Sequence, residues 1–191
     1  MSLERVVVIS DASVTEGGTT ALALLSVRQF RARGLPGTYI CGDSGDAPHL
    51  TNAGVEVVAL GDTALLAKGP VNAALQGIFH GKARDMLAAW IAQNDTAGTI
   101  YHVHGWAQIL SPSIFAALRP VCSRVVVHSH DQFLACPNGV YMDFRRQVAC
   151  TRAPLGFDCL TTNCDKRSMA QKGWRVTRQM MLRKWFDQGR N

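Results

Sequence analysis

RVVVIS, residues 5–10, holds four consecutive apolar residues, three of them valine, with no polar alternation among them. A strand with one wet face would alternate apolar and polar residues. An unbroken run of this kind fits a strand covered on both faces, as strands inside parallel sheets are. Parallel neighbours need crossover connections, so helical segments are expected on either side of each later strand.

The rest of the chain supplies them. TTALALLSVRQFRARG (19–34) places Leu22, Leu25 and Phe30 near helical spacing, with Gly34 and Pro36 as a stop. TYIC (38–41) and GVEVVAL (54–60) read as the second and third strands. The segment 70–94 is a long helical pattern with a break expected at Gly77 or Gly81. TIYHVH (99–104) is a fourth strand, and SPSIFAALRP (111–120) is a short helix with Ser111 as N-cap and Pro112 at its first position. RVVVHS (124–129) is a fifth strand. An irregular stretch, 131–165, and a basic helix, 166–190, follow. Strands alternating with helices predict an α/β domain, a Rossmann-like parallel sheet with helices on both faces. The 191 residues suffice for one such domain.

Composition narrows the function classes. Hydrophobic residues at 47% and charged residues at 18% describe a globular chain, and no apolar run approaches the roughly 18 residues of a spanning helix. The start, MSLERVVVIS, lacks the basic and apolar regions of a signal peptide, so a cytoplasmic setting is expected. The net charge of +6 lies entirely in residues 165–191, where eight Lys or Arg (Lys166, Arg167, Lys172, Arg175, Arg178, Arg183, Lys184, Arg190) oppose Asp165 and Asp187. Such a segment is either a solvated helix face or a contact for an anionic surface such as phospholipid. It carries no recognised nucleic-acid motif, so no nucleic-acid partner is expected. Met169, Val176 and Met180 form one apolar stripe of this helix, and Trp174, Met181 and Trp185 a second. Two stripes ask for more partners than one sheet face provides, so the chain reads as part of a longer protein.

Cys41 and Cys122, beside strand-like runs, read as small buried hydrophobes. Cys136, Cys150, Cys159 and Cys164 are separated by 13, 8 and 4 residues, within a stretch too polar to fold unaided. Three states fit them: a structural zinc bound by four thiolates, free thiols, or disulfides. Gly17 and Gly18 precede the first helix, where backbone N–H groups can face an anion, although no G-x-G-x-x-G fingerprint is present. His102 and His104 end the fourth strand, and His128 and His130 the fifth. Alternation puts each pair on one side of its strand, with His104 and His130 nearest the edge where open parallel sheets bind ligands. His102 and His128 are expected to be structural. A metal site using the four imidazoles and Asp131 is a competing reading, weakened because HSHDQF (128–133) departs from the H-x-H-x-D-H hydrolase pattern.

The Gly-Gly loop after the first strand, YHVHGW (101–106), LSPS (110–113), VVVHSHDQFLACPNG (125–139) and NCDKRSMAQKGWRVTRQ (163–179), in that order, resemble the N-terminal half of GT-B-fold glycosyltransferases. More narrowly they are similar to the group called group 1 or family 4, in members acting on cell-surface or exopolysaccharide precursors. The resemblance is strongest over 101–179. It implies two Rossmann-like domains across a cleft, one gripping a nucleotide-sugar donor and the N-terminal one holding a sugar or lipid-linked saccharide acceptor. It also implies retention of anomeric configuration without a metal for the chemistry. By position, His130 would be the catalytic group near the transferred sugar and His104 would line the acceptor side. Gly17 and Gly18 would form the loop near the donor phosphates, and Asp131 would bind substrate or orient the loop. The donor-binding half and its Glu-rich motif are not among these residues, so this part alone is expected to be inactive. The basic helix would meet the inner face of the plasma membrane peripherally. Two further readings remain: a zinc-stabilised binding module with a basic tail, and a metal-dependent hydrolase using the H-x-H pairs.

Overall fold

A computed structural model describes residues 2–15 and 17–186. Its main sheet has five parallel strands, β1 (Arg5–Ser10), β2 (Gly37–Cys41), β3 (Glu56–Ala59), β4 (Thr99–Val103) and β5 (Val125–Val127), in the order β3-β2-β1-β4-β5. This is the Rossmann-like α/β arrangement that the alternating pattern predicts. Strand β1 lies at the centre, and its residues 6–10 are buried on both faces. Each valine or isoleucine there contributes about 1.5–3 kcal/mol by leaving water.

The helices are α1 (Gly18–Ala32), α2 (Pro48–Thr51), α3 (Pro70–Ile78), α4 (Gly81–Asn94), α5 (Ser113–Leu118), α6 (Phe157–Thr161) and α7 (Met169–Trp185). Val6, Val8, Tyr39 and Cys41 face α1 and α2, forming one core. Val7, Ile9, Ile40, Tyr101 and Val103 face α4, α5 and α7, forming the other. The expected break in 70–94 falls between its two candidate glycines. There Phe79 and His80 are extended, and His80 Nδ1 accepts from the Ala83 N–H to start α4. Gly77 is needed for packing, because a Cβ on it would lie 2.5 Å from the Trp174 ring of α7. Helix α5 starts one residue later than expected, yet Ser111 Oγ still accepts from the Ser113 N–H.

The buried faces of three segments differ from what residue type and spacing alone pick out. Leu22 and Leu25 are exposed, and α1 instead buries Thr20, Ala23, Leu24 and Val27. Small residues on that face let the helix sit close to β2, where a Cβ on Gly37 would approach Val27 at 3.0 Å. Cys122 is exposed, since it lies in a 3₁₀ turn ahead of β5 rather than in the strand. In α7 Met169 and Met180 are exposed, while Lys172, Arg178, Gln179 and Leu182 turn inward. Arg175 pairs with buried Asp165 at 2.9 Å. The basic segment is therefore not one solvated face: Lys166 and Arg167 project before the helix, and Arg183 and Lys184 near its end. Asp187 and Arg190 lie outside the described residues.

The stretch 131–165 is less irregular than its sequence reads. It contains α6 and a small antiparallel hairpin of β6 (Met142–Asp143) and β7 (Val148–Ala149). Among the described residues no disulfide joins the six cysteines, and Cys136, Cys150, Cys159 and Cys164 line one small cavity together with Lys172. The Lys172 ammonium, 1% exposed, is bonded to Cys159 O, to Thr162 O at 2.6 Å and to Cys164 Sγ at 3.1 Å. Asn138 Nδ2 donates to Cys164 O at 3.0 Å and to its Sγ at 3.2 Å. A buried cation from α7 thus helps tie this segment down.

Between β3 and α4, Asp62 accepts from Lys68 Nζ and meets His80 Nε2, both at 2.7 Å. Burial works to raise the Asp62 carboxyl, but the Lys68 and His80 hydrogen bonds outweigh it and hold it at about 2, below its ordinary 3.8. A depressed carboxylate stabilises the fold above its unfolded value, and that contribution is lost as pH falls through the folded one. Solvent screening at this part-exposed site leaves about 1 kcal/mol. We expect Asp62→Asn to cost about that much at neutral pH, with the deficit shrinking between about pH 4 and pH 2. Urea unfolding of both proteins across that range checks it; a deficit independent of pH would mean the charge is not its source.

Candidate functional site

Strand order reverses direction between β1 and β4, and beyond their carboxyl ends lies a cleft of about 410 Å³. Open α/β sheets bind ligands at such switch points. Asp11, the residue after β1, builds its floor. The Asp11 carboxylate accepts the N–H groups of Gln108, Ile109 and Leu110 at 2.8–2.9 Å. Its carbonyl accepts those of Gly42 and Asp43 at 3.0 and 3.2 Å. Burial pushes the Asp11 carboxyl up, opposed by these three backbone donors and by the Arg178 charge.

On one wall, α1 opens with Gly17 at its N-cap, with no side-chain cap and no acidic residue in the first turn. Its leading residues Gly17, Gly18, Thr19 and Thr20 line the cleft. A Cβ at Gly17 or Gly18 would meet no protein atom within 4 Å. Uncapped N–H groups at a helix start carry partial positive charge and suit an anion.

Arg178, from α7, reaches the same cleft. Its guanidinium lies 5.4, 5.9 and 5.6 Å from the rings of Trp106, Phe133 and Trp174 and donates to Ala107 O. Its buried Nε has no hydrogen-bond partner among the described residues. Burial lowers it to about 10, with Asp11 opposing, so it remains a cation at neutral pH. Neither Arg178 nor Asp11 stood out in the sequence. Arg178 does fall on the Trp174–Met181–Trp185 stripe, which was the signal that it points inward.

His104, Ser129, His130 and Asp131 line the opposite side with His128. All five residues expected near substrate (Gly17, Gly18, His104, His130 and Asp131) therefore border one cleft. His104 is 4% exposed. Its Nδ1 lies 3.0 Å from His130 Nε2 and its Nε2 lies 3.3 Å from His102 Nδ1. The His128 and His130 rings stack with centroids 4.3 Å apart. Burial pushes His104 down to about 3, and the three neighbouring imidazoles add to this. Burial and adjacent imidazoles lower His102 and His130 as well, with Asp131 partly opposing the shift at His130. Asp131 itself accepts from the Phe133 N–H at 2.8 Å, which shapes the loop. His102 and His128, expected to be separate structural residues, belong to this cluster because the parallel register brings the two strand ends side by side. Among the described residues, His102, His104 and His128 are the set of three potential ligands whose donor atoms all lie within 4.8 Å of one another. The four thiols share their cavity without forming such a set.

Comparison with family models, with curated proteins and with solved structures returned no match. The fold and cleft define a Rossmann-like α/β domain with an anion-compatible helix terminus at its switch point. Among the described residues, no helix is long and apolar enough to cross a membrane.

Removal of the Asp11 carboxylate orphans three N–H groups, each costing about 1–3 kcal/mol if buried. Asp11→Ala is expected to lower unfolding stability by about 3 kcal/mol and Asp11→Asn by less, because an amide oxygen can keep part of the set. Denaturant titration separates the two. Equal costs would mean that the turn at 108–110 holds itself.

Proposed function

We propose that this chain is the acceptor-side N-terminal domain of a retaining GT-B glycosyltransferase, taking part in transfer of a sugar from a nucleotide donor in polysaccharide or glycolipid synthesis. The observation that carries the reading is one of placement. The uncapped start of α1, the buried Arg178 cation and His130 border a single cleft at the switch point. These parts match the needs of glycosyl transfer. As the bond between the sugar's anomeric carbon and the phosphate oxygen breaks, the electron pair stays with the diphosphate. Fixed N–H dipoles and a cation stabilise that growing charge without reorganising. His130 supplies a neutral imidazole whose Nδ1 has no protein partner among the described residues, ready to bond a sugar hydroxyl. The nucleoside would be held by a second domain facing this one. For a lipid-linked acceptor, Lys166, Arg167, Arg183 and Lys184 remain outward to meet an anionic surface.

The assay is release of nucleoside diphosphate from a panel of nucleotide sugars by the protein joined to its donor-binding half. Release is expected, and His130→Ala should lower kcat on the order of 100-fold while leaving the donor KM little changed. Neither binding nor hydrolysis of any nucleotide sugar would overturn the reading.

A further inference from the structure

The imidazoles at the ends of β4 and β5 have an arrangement that sugar handling does not require. His102 and His104 project from one face of β4, because alternate residues of a strand share a face. The His128 N–H bonds Val103 O at 2.8 Å, continuing the ladder that pairs Val103 with Val127. That continuation sets the His128 ring against His104, with centroids 4.9 Å apart. Two residues on one strand and a third on its neighbour thus bring three ring nitrogens together, within 4.8 Å of one another.

The finer geometry points the same way. His104 Nε2 and His102 Nδ1 are 3.3 Å apart. Two nitrogens bound at about 2.0–2.1 Å to one tetrahedral cation stand about 3.3 Å apart. The other nitrogen of His104, Nδ1, faces His130 Nε2 at 3.0 Å. Metal-bound imidazoles nearly always make such a bond with their second nitrogen, which holds the ring in place. Among the described residues, the ring nitrogens of His102 and His104 pair only with other imidazoles, and the His128 ring packs against those of His102, His104 and His130. Imidazoles packed this way have few other partners for their ring nitrogens.

We propose that His102, His104 and His128 form a binding site for one divalent transition cation of the zinc class. His130 supports His104, and a further coordination position stays open. An all-nitrogen donor set selects against magnesium and calcium, which require oxygen ligands. His104 and His128 also line the cleft, so the bound cation adds positive charge to its wall. The proposal stands apart from the glycosyltransferase reading, because its readout is metal binding and not transfer.

The thiols of Cys136, Cys150, Cys159 and Cys164 are the competing ligands for such a cation, so the probe must tell nitrogen from sulfur. The purified chain, stripped with a chelator, is titrated with Co²⁺ followed by visible absorption and then displaced with Zn²⁺. We expect one equivalent of tightly bound cobalt whose spectrum lacks a thiolate charge-transfer band. His128 is exposed, and His128→Ala should keep the native circular dichroism yet weaken binding by at least the roughly 10–100-fold that loss of an outer-shell partner costs. His130→Ala should fall within that range, and His49→Ala, in the remote α2, should bind like the wild type. Cobalt held no more tightly by the wild type than by folded His128→Ala would overturn the proposal. So would binding that survives in His128→Ala but disappears in Cys136→Ser or Cys164→Ser.

Discussion

Asp11 is one residue past the central strand, and through it the carboxyl edge of the sheet becomes a site. Its carbonyl holds the loop after β2 and its carboxylate holds the turn after β4, so loops from both sides of the switch point share one anchor. The approach is close enough to dictate composition around it. A Cβ on Gly42 would stand 2.6 Å from Ile109, and one on Gly105 would stand 3.1 Å from the Asp11 N–H nitrogen. Tyr39 adds a fixed strut, donating its hydroxyl to Ala12 O at 2.7 Å. A floor tied this way does not collapse when the cleft is empty. The α1 terminus and Arg178 then border that cleft from fixed positions.

The buried cations show where physical reasoning from the sequence succeeds and where it stops. Strand β1 was legible because a run of β-branched residues covered on both faces has few other uses. The paired histidines were legible as strand-end residues because alternation fixes their side. What no periodicity conveys is the partner across space. Lys172 and Arg178 were counted as part of a charged surface, the usual place for such residues. Lys172 is buried because two carbonyls and a thiol surround its ammonium. Arg178 is buried because three aromatic rings and Ala107 O do the same for its guanidinium. The exposed Leu22 and Leu25 show the converse, that helical spacing marks a stripe but only the sheet decides which stripe it covers.

His102 and His128 illustrate the same limit at the candidate site. Taken singly, each is an ordinary strand residue, and the spacing of 26 positions between them carries no message. Parallel pairing of β4 with β5 converts that spacing into adjacency. Tyr101 faces Val125, His102 faces Val126, and the next steps of the ladder bring the imidazoles together. The cluster is therefore a consequence of register, and a slip of β5 by one residue would send His128 and His130 to the other face.

The hydrogen bond between His104 and His130 couples the cluster to the cleft. A neutral imidazole carries one proton, so the pair has two arrangements. With the proton on His104 Nδ1, His130 Nε2 accepts, and His130 must carry its own proton on Nδ1, becoming a donor to whatever occupies the cleft. With the proton on His130 Nε2, the same Nδ1 becomes an acceptor. A cation on His104 Nε2 removes the second arrangement, because the bound imidazole keeps its proton on Nδ1. Occupancy behind the cleft wall would then set the hydrogen-bonding sense of His130 in front of it. An acceptor at that position can receive a proton from a sugar hydroxyl, whereas a donor can only hold an oxygen that already has electron density to offer. A cation shared by His102 and His104 would thus make the chemical character of His130 depend on a residue, His102, that does not line the cleft.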